Sequence, residues 1–286
     1  MDGHELNSMM NFINWWQHLP GKLSPVIFQI GPLSLRYYGM MYVVAFGTVY
    51  VLARYRLRTE KRFGFSRQQL NDIMTAMIIG LVLGARIGYV LFYNLPYYIS
   101  HPLEIFLPFD FSDGMRFVGI AGMSYHGGLI GVVSAALWYC RAHRLSFWEA
   151  SDLFIPAIPL GYTFGRLGNF INSELYGRVT TRAIGMIFPN APGTSLRHPT
   201  QLYEAFFEGI FLFTFLWFLR KKKLPSGGMM AIYLASYGTV RFCIEFFREP
   251  DAQLGFVVGF FTMGQLLCFV MILSGAALFV LRSRHA

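Results

Sequence analysis

Long apolar runs separated by short polar stretches dominate the chain. Seven runs are long enough to cross a ~30 Å hydrocarbon core as helices. They fall at about residues 37–54, 71–93, 117–140, 152–171, 203–219, 229–247 and 259–281. Pro156 and Pro159 should kink the fourth. Glycines inside several runs suit close helix packing. Ahead of the first run, Met9, Phe12, Ile13 and Trp16 recur at helical spacing. That spacing predicts a short amphipathic helix on the membrane surface, with Trp15 and Trp16 at headgroup level. Pro20, Gly21 and Pro25 should end it. Residues 1–35 hold no basic n-region, continuous h-region or small-residue cleavage site, so no signal peptide is expected.

The fold class expected is therefore an all-α polytopic membrane protein with seven transmembrane helices. An outer-membrane barrel would show short alternating segments instead of continuous runs. Two domains are expected. Residues 1–35 form an N-terminal segment outside the membrane, and residues 36–286 form the transmembrane catalytic domain. The second includes outside loops at 94–116, with Pro96, Pro102 and Pro108, and at 172–202. Ile184, Met186, Ile187 and Phe188 suggest a short strand in the second loop, which would form a small periplasmic head.

Basic residues set the orientation. With seven spans, fourteen fall on one side: Arg54, Arg56, Arg58, Lys61, Arg62, Arg67, Arg141, Arg144, Arg220, Lys221, Lys222, Lys223, Arg282 and Arg284. The other side has seven: Lys22, Arg36, Arg116, Arg178, Arg182, Arg197 and Arg248. The richer side is cytoplasmic, which puts the amino terminus outside and the carboxyl terminus inside. Three more, Arg86, Arg166 and Arg241, lie inside runs.

Composition agrees. The chain is 55% hydrophobic and 14% charged, against about 25% charged for a soluble domain. A formal charge of +9 could suggest nucleic acid, but cytoplasmic loop bias accounts for it, so no nucleic-acid partner is expected. Cys140, Cys243 and Cys268 lie in or at the ends of apolar runs without metal-ligand or disulfide spacing.

The polar exceptions carry the chemistry. Gly165-Arg166-Leu167-Gly168-Asn169-Phe170-Ile171-Asn172-Ser173-Glu174-Leu175-Tyr176-Gly177-Arg178 follows directly on an apolar run. Ionisable groups at membrane depth usually face a protein interior or a water-filled cavity. Gly161, Gly165 and Gly168 would let a backbone or a ligand come close. In the expected topology Arg86, Arg166, Arg241, His126, Tyr38, Glu245 and Arg248 gather in the outer half of the bilayer. Arg166 and Arg241 present planar donors suited to phosphate or carboxylate. The plainer reading is an Arg–Glu pair, such as Arg241 with Glu245, holding helices together. Few acidic partners at that depth favour an anionic ligand. His126 is either a packing group or a proton acceptor, with Gly127 and Gly128 opening space beside it. Asn169, Asn172 and Glu174 either cap the fourth helix or orient the arginines. Tyr237 and Arg241 share a helix face, and Tyr38 and Tyr89 are alternatively belt aromatics. No metal-ligand cluster, phosphate-cradling glycine loop or G-x-S-x-G elbow appears, so the site is expected to be built from cations, amides, one histidine and tyrosines.

The stretch at Gly165–Gly177 resembles the signature of bacterial prolipoprotein diacylglyceryl transferases. Further similar blocks follow in the same order: Arg36–Tyr42, Gly84–Tyr89, Ser124–Gly128, Arg197–Glu204 and Arg241–Asp251. The resemblance covers roughly residues 25–280, and Ser173, where glycine is frequent, is its one mild departure. It implies an inner-membrane enzyme without metal or cofactor. Such an enzyme moves the diacylglyceryl group of phosphatidylglycerol to the lipobox cysteine thiol of a preprolipoprotein signal peptide. It implies that Arg166 and Arg241 are essential and that Tyr38, His126, Asn169, Tyr237 and Glu245 take part. Arg86, Tyr89, Asn172, Glu174, His198 and Arg248, all within or beside these blocks, complete the candidates as substrate-binding residues.

The chemistry fits that reading. A thioether product requires carbon–oxygen cleavage at the glyceryl carbon, with phosphate leaving under the arginines and His126 as base for the thiol. A transporter or flippase for an anionic lipid or solute is the alternative. It needs a polar path through both membrane halves, and the inner halves of the runs are almost free of charge. A seven-helix receptor rests on span count and orientation alone.

Overall fold

The computed structural model describes residues 3–31, 33–105, 107, 109–110, 116–117, 122–250 and 256–284. It is mainly helical. The elements are α1 (Gly3–Gln17), α2 (Leu19–Lys22), β1 (Val26–Ile30), β2 (Leu33–Arg36), α3 (Tyr37–Thr59), α4 (Arg67–Tyr93), α5 (Leu95–Ser100), β3 (Phe109–Asp110) and β4 (Arg116–Phe117). Then come α6 (Tyr125–Ala142), α7 (Phe147–Phe154), α8 (Ile158–Ile171), α9 (Thr200–Glu204), α10 (Leu212–Leu219), α11 (Gly228–Ile244), β5 (Phe256–Val258), β6 (Phe261–Thr262) and α12 (Met263–Arg284). Short 3₁₀ turns occupy Pro102–Ile105 and Ile155–Ala157, and a π turn over Ala205–Phe211 joins α9 to α10. Three antiparallel hairpins pair β1 with β2, β3 with β4 and β5 with β6. Among the described residues, three helices are long and apolar enough to cross a membrane: Arg67–Tyr93, the continuous Thr200–Leu219, and Met263–Arg284.

Several expected boundaries move, each for a local reason. The third run was expected to be helical from 117, but α6 begins at Tyr125, where the Ser124 hydroxyl caps Gly127 N–H at 3.3 Å. Residues 118–121, Pro108 and Asp251 lie outside the described residues. The fourth run breaks into α7, the 3₁₀ turn and α8, with Pro156 and Pro159 each in a first turn, where a missing N–H costs nothing. The seventh run opens with the β5–β6 hairpin before α12 begins. Residues 184–188 form no strand; Met186 alone bridges to Arg197. Pro20 and Gly21 sit inside α2, one turn beyond the end of α1. Arg54, Arg56 and Arg58 belong to α3, not to the loop after it.

Contacts group the residues into two compact units, one of residues 61–150 and one of residues 1–60 with 151–286. In the 61–150 unit, α4 packs on α6 through glycines. A Cβ on Gly84 would strike the Gly127 carbonyl, and one on Gly131 would strike that of Gly80. Such small residues let backbones touch, which is how membrane helices associate without a hydrophobic driving force. Gly127 and Gly128 are therefore filled by Gly84, Gly88, Leu81 and Ala85, and do not open the space beside His126 that the sequence suggested. A capping box starts α4: Ser66 Oγ accepts from Gln69 N–H and Gln69 Oε1 accepts from Ser66 N–H.

In the larger unit, α3 lies on α8 and α11 on α12. Gly161 admits Ala45 and Val49, Gly168 admits Tyr38, and Gly275 admits the backbone at Ala231 and Ala235. Trp16 is tied into the larger unit. It donates from Nε1 to the Ile184 carbonyl at 3.0 Å and packs on the Phe170, Met186 and Phe188 core. Trp15, Met9 and Phe12 stay exposed along α1, as an interfacial face requires.

One polar node ties three segments of this unit. Arg56 is fully buried. Its Nη1 donates to the carbonyls of Asp152 and Leu153 at 2.5 and 2.7 Å, while Nε and Nη2 grip Glu60 at 2.8 Å. The Asp152 carboxylate accepts from Gly227 N–H at 2.8 Å and Met229 N–H at 3.1 Å, capping α11 from a distant helix. Asp152→Ala should therefore lower unfolding free energy by about 1–3 kcal/mol, the cost of stranding buried donors. Thermal unfolding in detergent checks this, and an unchanged midpoint would contradict it.

Candidate active site

The described side chains place Arg166 and Arg241 in one cluster. Arg166 rises from α8 and Arg241 from α11, and Glu204, at the end of α9, sits between them. Arg166 Nε lies 2.7 Å from Glu204 Oε2, and Arg241 Nη1 donates to Glu204 Oε1 at 2.7 Å. Glu204 has no solvent exposure. Arg241 also reaches Glu208 Oε1 at 3.3 Å and, through Nη2, Glu245 Oε2 at 2.9 Å. The Thr262 hydroxyl donates to Glu245 Oε1 at 3.1 Å, and the Tyr162 hydroxyl to Glu208 Oε2 at 2.6 Å. Arg166 Nε donates to that same phenol at 2.6 Å.

The expectation of few acidic partners at this depth does not hold. Two carboxylates, Glu204 and Glu208, lie within what reads as the fifth apolar run, and neither was among the candidates. The signal was available, since two acids in one apolar run are costly unless paired. The pairing of Arg241 with Glu245 one turn on does occur, inside this larger network. The two arginines differ in what they leave free. Both Nη groups of Arg241 are engaged by carboxylates. Arg166 keeps 16% of its side chain exposed, and its Nη2 has no hydrogen-bond partner among the described residues.

A polar chain continues from Arg166 towards the 172–202 loop. Arg166 Nη1 donates to Asn169 Oδ1 at 3.3 Å, and Asn169 Nδ2 to Glu174 Oε1 at 2.8 Å. Asn172 Nδ2 reaches the same oxygen at 3.3 Å, and Gln201 Nε2 holds the Glu174 carbonyl at 2.7 Å. Ser173 and Leu175 flank Glu174 at φ of 55° and 59°, the left-handed region. That backbone is one glycine adopts without strain, and turning it aims Glu174 back at Asn169. Tyr38 packs over Gly168, where a Cβ would come within 3.0 Å of its ring, and its hydroxyl meets that of Tyr42 at 3.0 Å. Tyr237 stands edge-on to Tyr162, ring centroids 6.2 Å apart. Gly165 has nothing within 4 Å of a Cβ, so open space lies on that side of the helix beside Arg166.

The loop candidates are held differently. His198 Nδ1 lies 3.1 Å from the Tyr203 hydroxyl, and its ring packs edge-on to Phe247. Burial there pushes its pKa below the usual histidine value. Arg248 lines a cavity of about 330 Å³ with Glu174, Tyr176, Asn190 and Glu249. Arg178 Nε holds its carbonyl at 2.8 Å.

The remaining candidates belong to the 61–150 unit. Arg86 is buried and donates to three backbone carbonyls, those of Glu104, Ile105 and Gly122, at 2.5, 2.7 and 3.3 Å, with the Tyr98 ring 4.9 Å from its guanidinium. It organises the connection between α4 and α6. Tyr89 stacks on Tyr93, and its ring lies against Gly122. His126 is exposed in the first turn of α6, its ring edge-on to Tyr125.

The family model for prolipoprotein diacylglyceryl transferase matches residues 25–281. The chain belongs to the prolipoprotein diacylglyceryl transferase family. It is 55% identical over 279 residues to a protein of Chlorobaculum tepidum named phosphatidylglycerol–prolipoprotein diacylglyceryl transferase, covering 97% of this chain and 96% of that one. Proteins of the same name from Bordetella avium and Geobacter sulfurreducens are each 45% identical, over 93% and 92% of this chain and 97% and 96% of theirs. With three membrane-length helices among its described residues, this diacylglyceryl transferase family member is a multi-pass membrane protein.

Within the cluster, Glu204→Ala would leave two buried guanidiniums short of a counter-ion. The expected loss is about 3–5 kcal/mol of stability. Glu249, which pairs with Arg197 at 2.9 Å while 48% exposed, should cost at most about 1 kcal/mol when changed to Ala. Unfolding of the two variants side by side checks this, and equal losses would contradict it.

Proposed function

We propose that this protein transfers the diacylglyceryl group of phosphatidylglycerol to the lipobox cysteine thiol of a preprolipoprotein, releasing glycerol phosphate. The carrying observation is the buried pair of arginines with one guanidinium edge left free, in a chain whose relatives bear that activity in their names. The thiolate sulfur attacks the glyceryl carbon bearing phosphate. The S–C bond forms, the C–O bond breaks, and its electron pair goes to the phosphate oxygen. Arg166 receives the phosphate through its free Nη2, and Arg241 fixes the network that orients Arg166. Glu245 holds Arg241, Asn169 and Glu174 hold Arg166, and Tyr38 walls the same helix. The thiol proton needs an acceptor, and His126 is assigned that role because an imidazole can take a proton as the thiol reacts.

The same proposal places seven spans in a bacterial inner membrane, amino terminus outside, with the site towards the periplasmic leaflet. That depth suits a lipid headgroup and a signal peptide already exported into the bilayer. The basic asymmetry of the loops supports the orientation.

Purified protein in vesicles of labelled phosphatidylglycerol, given a lipobox peptide, should move label to the cysteine and release glycerol phosphate. Lipid movement or hydrolysis without peptide labelling would sink the proposal. For His126, both His126→Gln and His126→Ala should slow transfer by roughly 10²–10⁴-fold, the usual worth of a positioned base. Alkaline pH should partly rescue both, because more peptide thiol ionises unaided. pH–rate profiles parallel to wild type would remove His126 from the base role.

A further inference from the structure

Three carboxylates and two guanidiniums share the buried cluster: Glu204, Glu208 and Glu245 with Arg166 and Arg241. With every group ionised the cluster would carry a net negative charge before any anion arrived. Such a site would repel a phosphate ester, and an uncompensated charge at this depth is costly. One proton on one carboxyl restores balance.

Geometry selects the carboxyl. Glu204 lies 2.7 Å from each arginine, one guanidinium to each oxygen. Glu245 takes Arg241 Nη2 at 2.9 Å and the Thr262 hydroxyl at 3.1 Å. Glu208 is just as buried, yet its cationic contact is the longest of the set, 3.3 Å to Arg241 Nη1. Its other oxygen lies 2.6 Å from the Tyr162 phenol. That contact needs one hydrogen, which either oxygen can carry. The charged and titratable groups around Glu208 are Tyr162 and Arg166 from α8, Glu204 from α9, Arg241 and Tyr237 from α11, Glu245 at its C-cap, and Cys268 from α12.

The backbone is shaped to put Glu208 there. The π turn Ala205–Phe211 turns Glu204 and Glu208 together towards Arg241. Gly209 allows it, since a Cβ there would collide with Thr163 Oγ1, whose hydroxyl donates to the Ala205 carbonyl at 3.2 Å. Single π turns inside helices recur at functional sites.

We propose that Glu208 is the protonated member of the cluster and a positioning residue for the transfer. Its neutral carboxyl, joined to Tyr162, keeps the arginine pair electrically able to take a phosphate ester. The inference rests on the transfer reaction above. There a phosphodiester monoanion becomes a monoester as the C–O bond breaks, so negative charge grows beside Arg166. The Glu208 proton stays in place throughout, and the thiol proton goes to the separate base.

Infrared difference spectra of the full-length protein in nanodiscs test this without requiring turnover. At about pH 8, exposed carboxyls with ordinary pKa near ~4 are ionised. Wild type minus Glu208→Gln should show loss of a protonated-carboxyl C=O band, and wild type minus Glu249→Gln should not. Tyr162→Phe should shift that band, because its hydrogen-bond partner is gone. A Glu208→Gln difference containing only carboxylate bands, or a band indifferent to Tyr162→Phe, overturns the assignment. In the transfer assay Glu208→Ala should raise KM for phosphatidylglycerol about 10²-fold, the scale of an ångström's misplacement. Glu208→Gln should recover most of that loss. A Gln variant as poor as Ala, or an Ala variant indistinguishable from wild type, overturns the positioning role. A protein that passes the infrared test but transfers no lipid would instead count against the transferase reading.

Discussion

The Glu204 carboxylate, shared between Arg166 and Arg241, is the contact on which the larger unit depends. Two guanidiniums cannot sit this deep unless something neutralises them, and Glu204, without solvent exposure, meets both at 2.7 Å. The contact joins three helices, α8, α9 and α11, through side chains whose attraction is strong because water is excluded. It also divides the labour of the arginines. Arg241 is saturated by carboxylates, while Arg166 keeps an open edge. Electrostatic preorganisation of this kind costs nothing at the moment of reaction, because the donors are already held.

The surrounding fold is arranged to bring that contact about. Small residues let helices approach until polar side chains meet: Gly168 under Tyr38, Gly161 under Ala45, Gly209 beside Thr163. The π turn after Glu204 adds a second carboxylate to the same place. The left-handed residues Ser173 and Leu175 turn the chain back, so that Glu174 receives Asn169 and Asn172. At the other end of the unit, Arg56 and Asp152 repeat the device with backbone partners, capping α11 and gripping the end of α3. Buried charge in the larger unit therefore joins helices at both places.

Much of this was legible in the chain. Apolar length located the helices, because burial at membrane depth demands it. Pro156 and Pro159 marked the break before α8, and the polar stretch Gly165–Gly177 holds Arg166 and Asn169 of the arginine network. The start of α6 was not legible, because Phe117 opens an apolar run that reads as helix yet pairs with Phe109 in a hairpin. Gly127 and Gly128 read as space for a ligand and prove to be helix contacts, since sequence does not say which partner a glycine admits. Glu204 and Glu208 were visible letters in an apolar run. The apolar reading of their neighbours hid that both point inward, and that misjudged how well the arginines are paired. Trp16 reads as a membrane-surface ring, and its bond to the distant Ile184 carbonyl leaves no trace in the sequence.

The claim that Arg166, Glu204 and Arg241 act as one unit is tested most directly by a double-mutant cycle on lipid transfer. Arg166→Lys and Arg241→Lys keep the charge but lose the planar fork, so each single variant should lose most activity. Groups sharing one network are strongly non-additive, with interaction energies of about 0.5–3 kcal/mol. The double variant should therefore be little worse than the poorer single one. Losses that multiply, as they would for two independent arginines, would contradict the account.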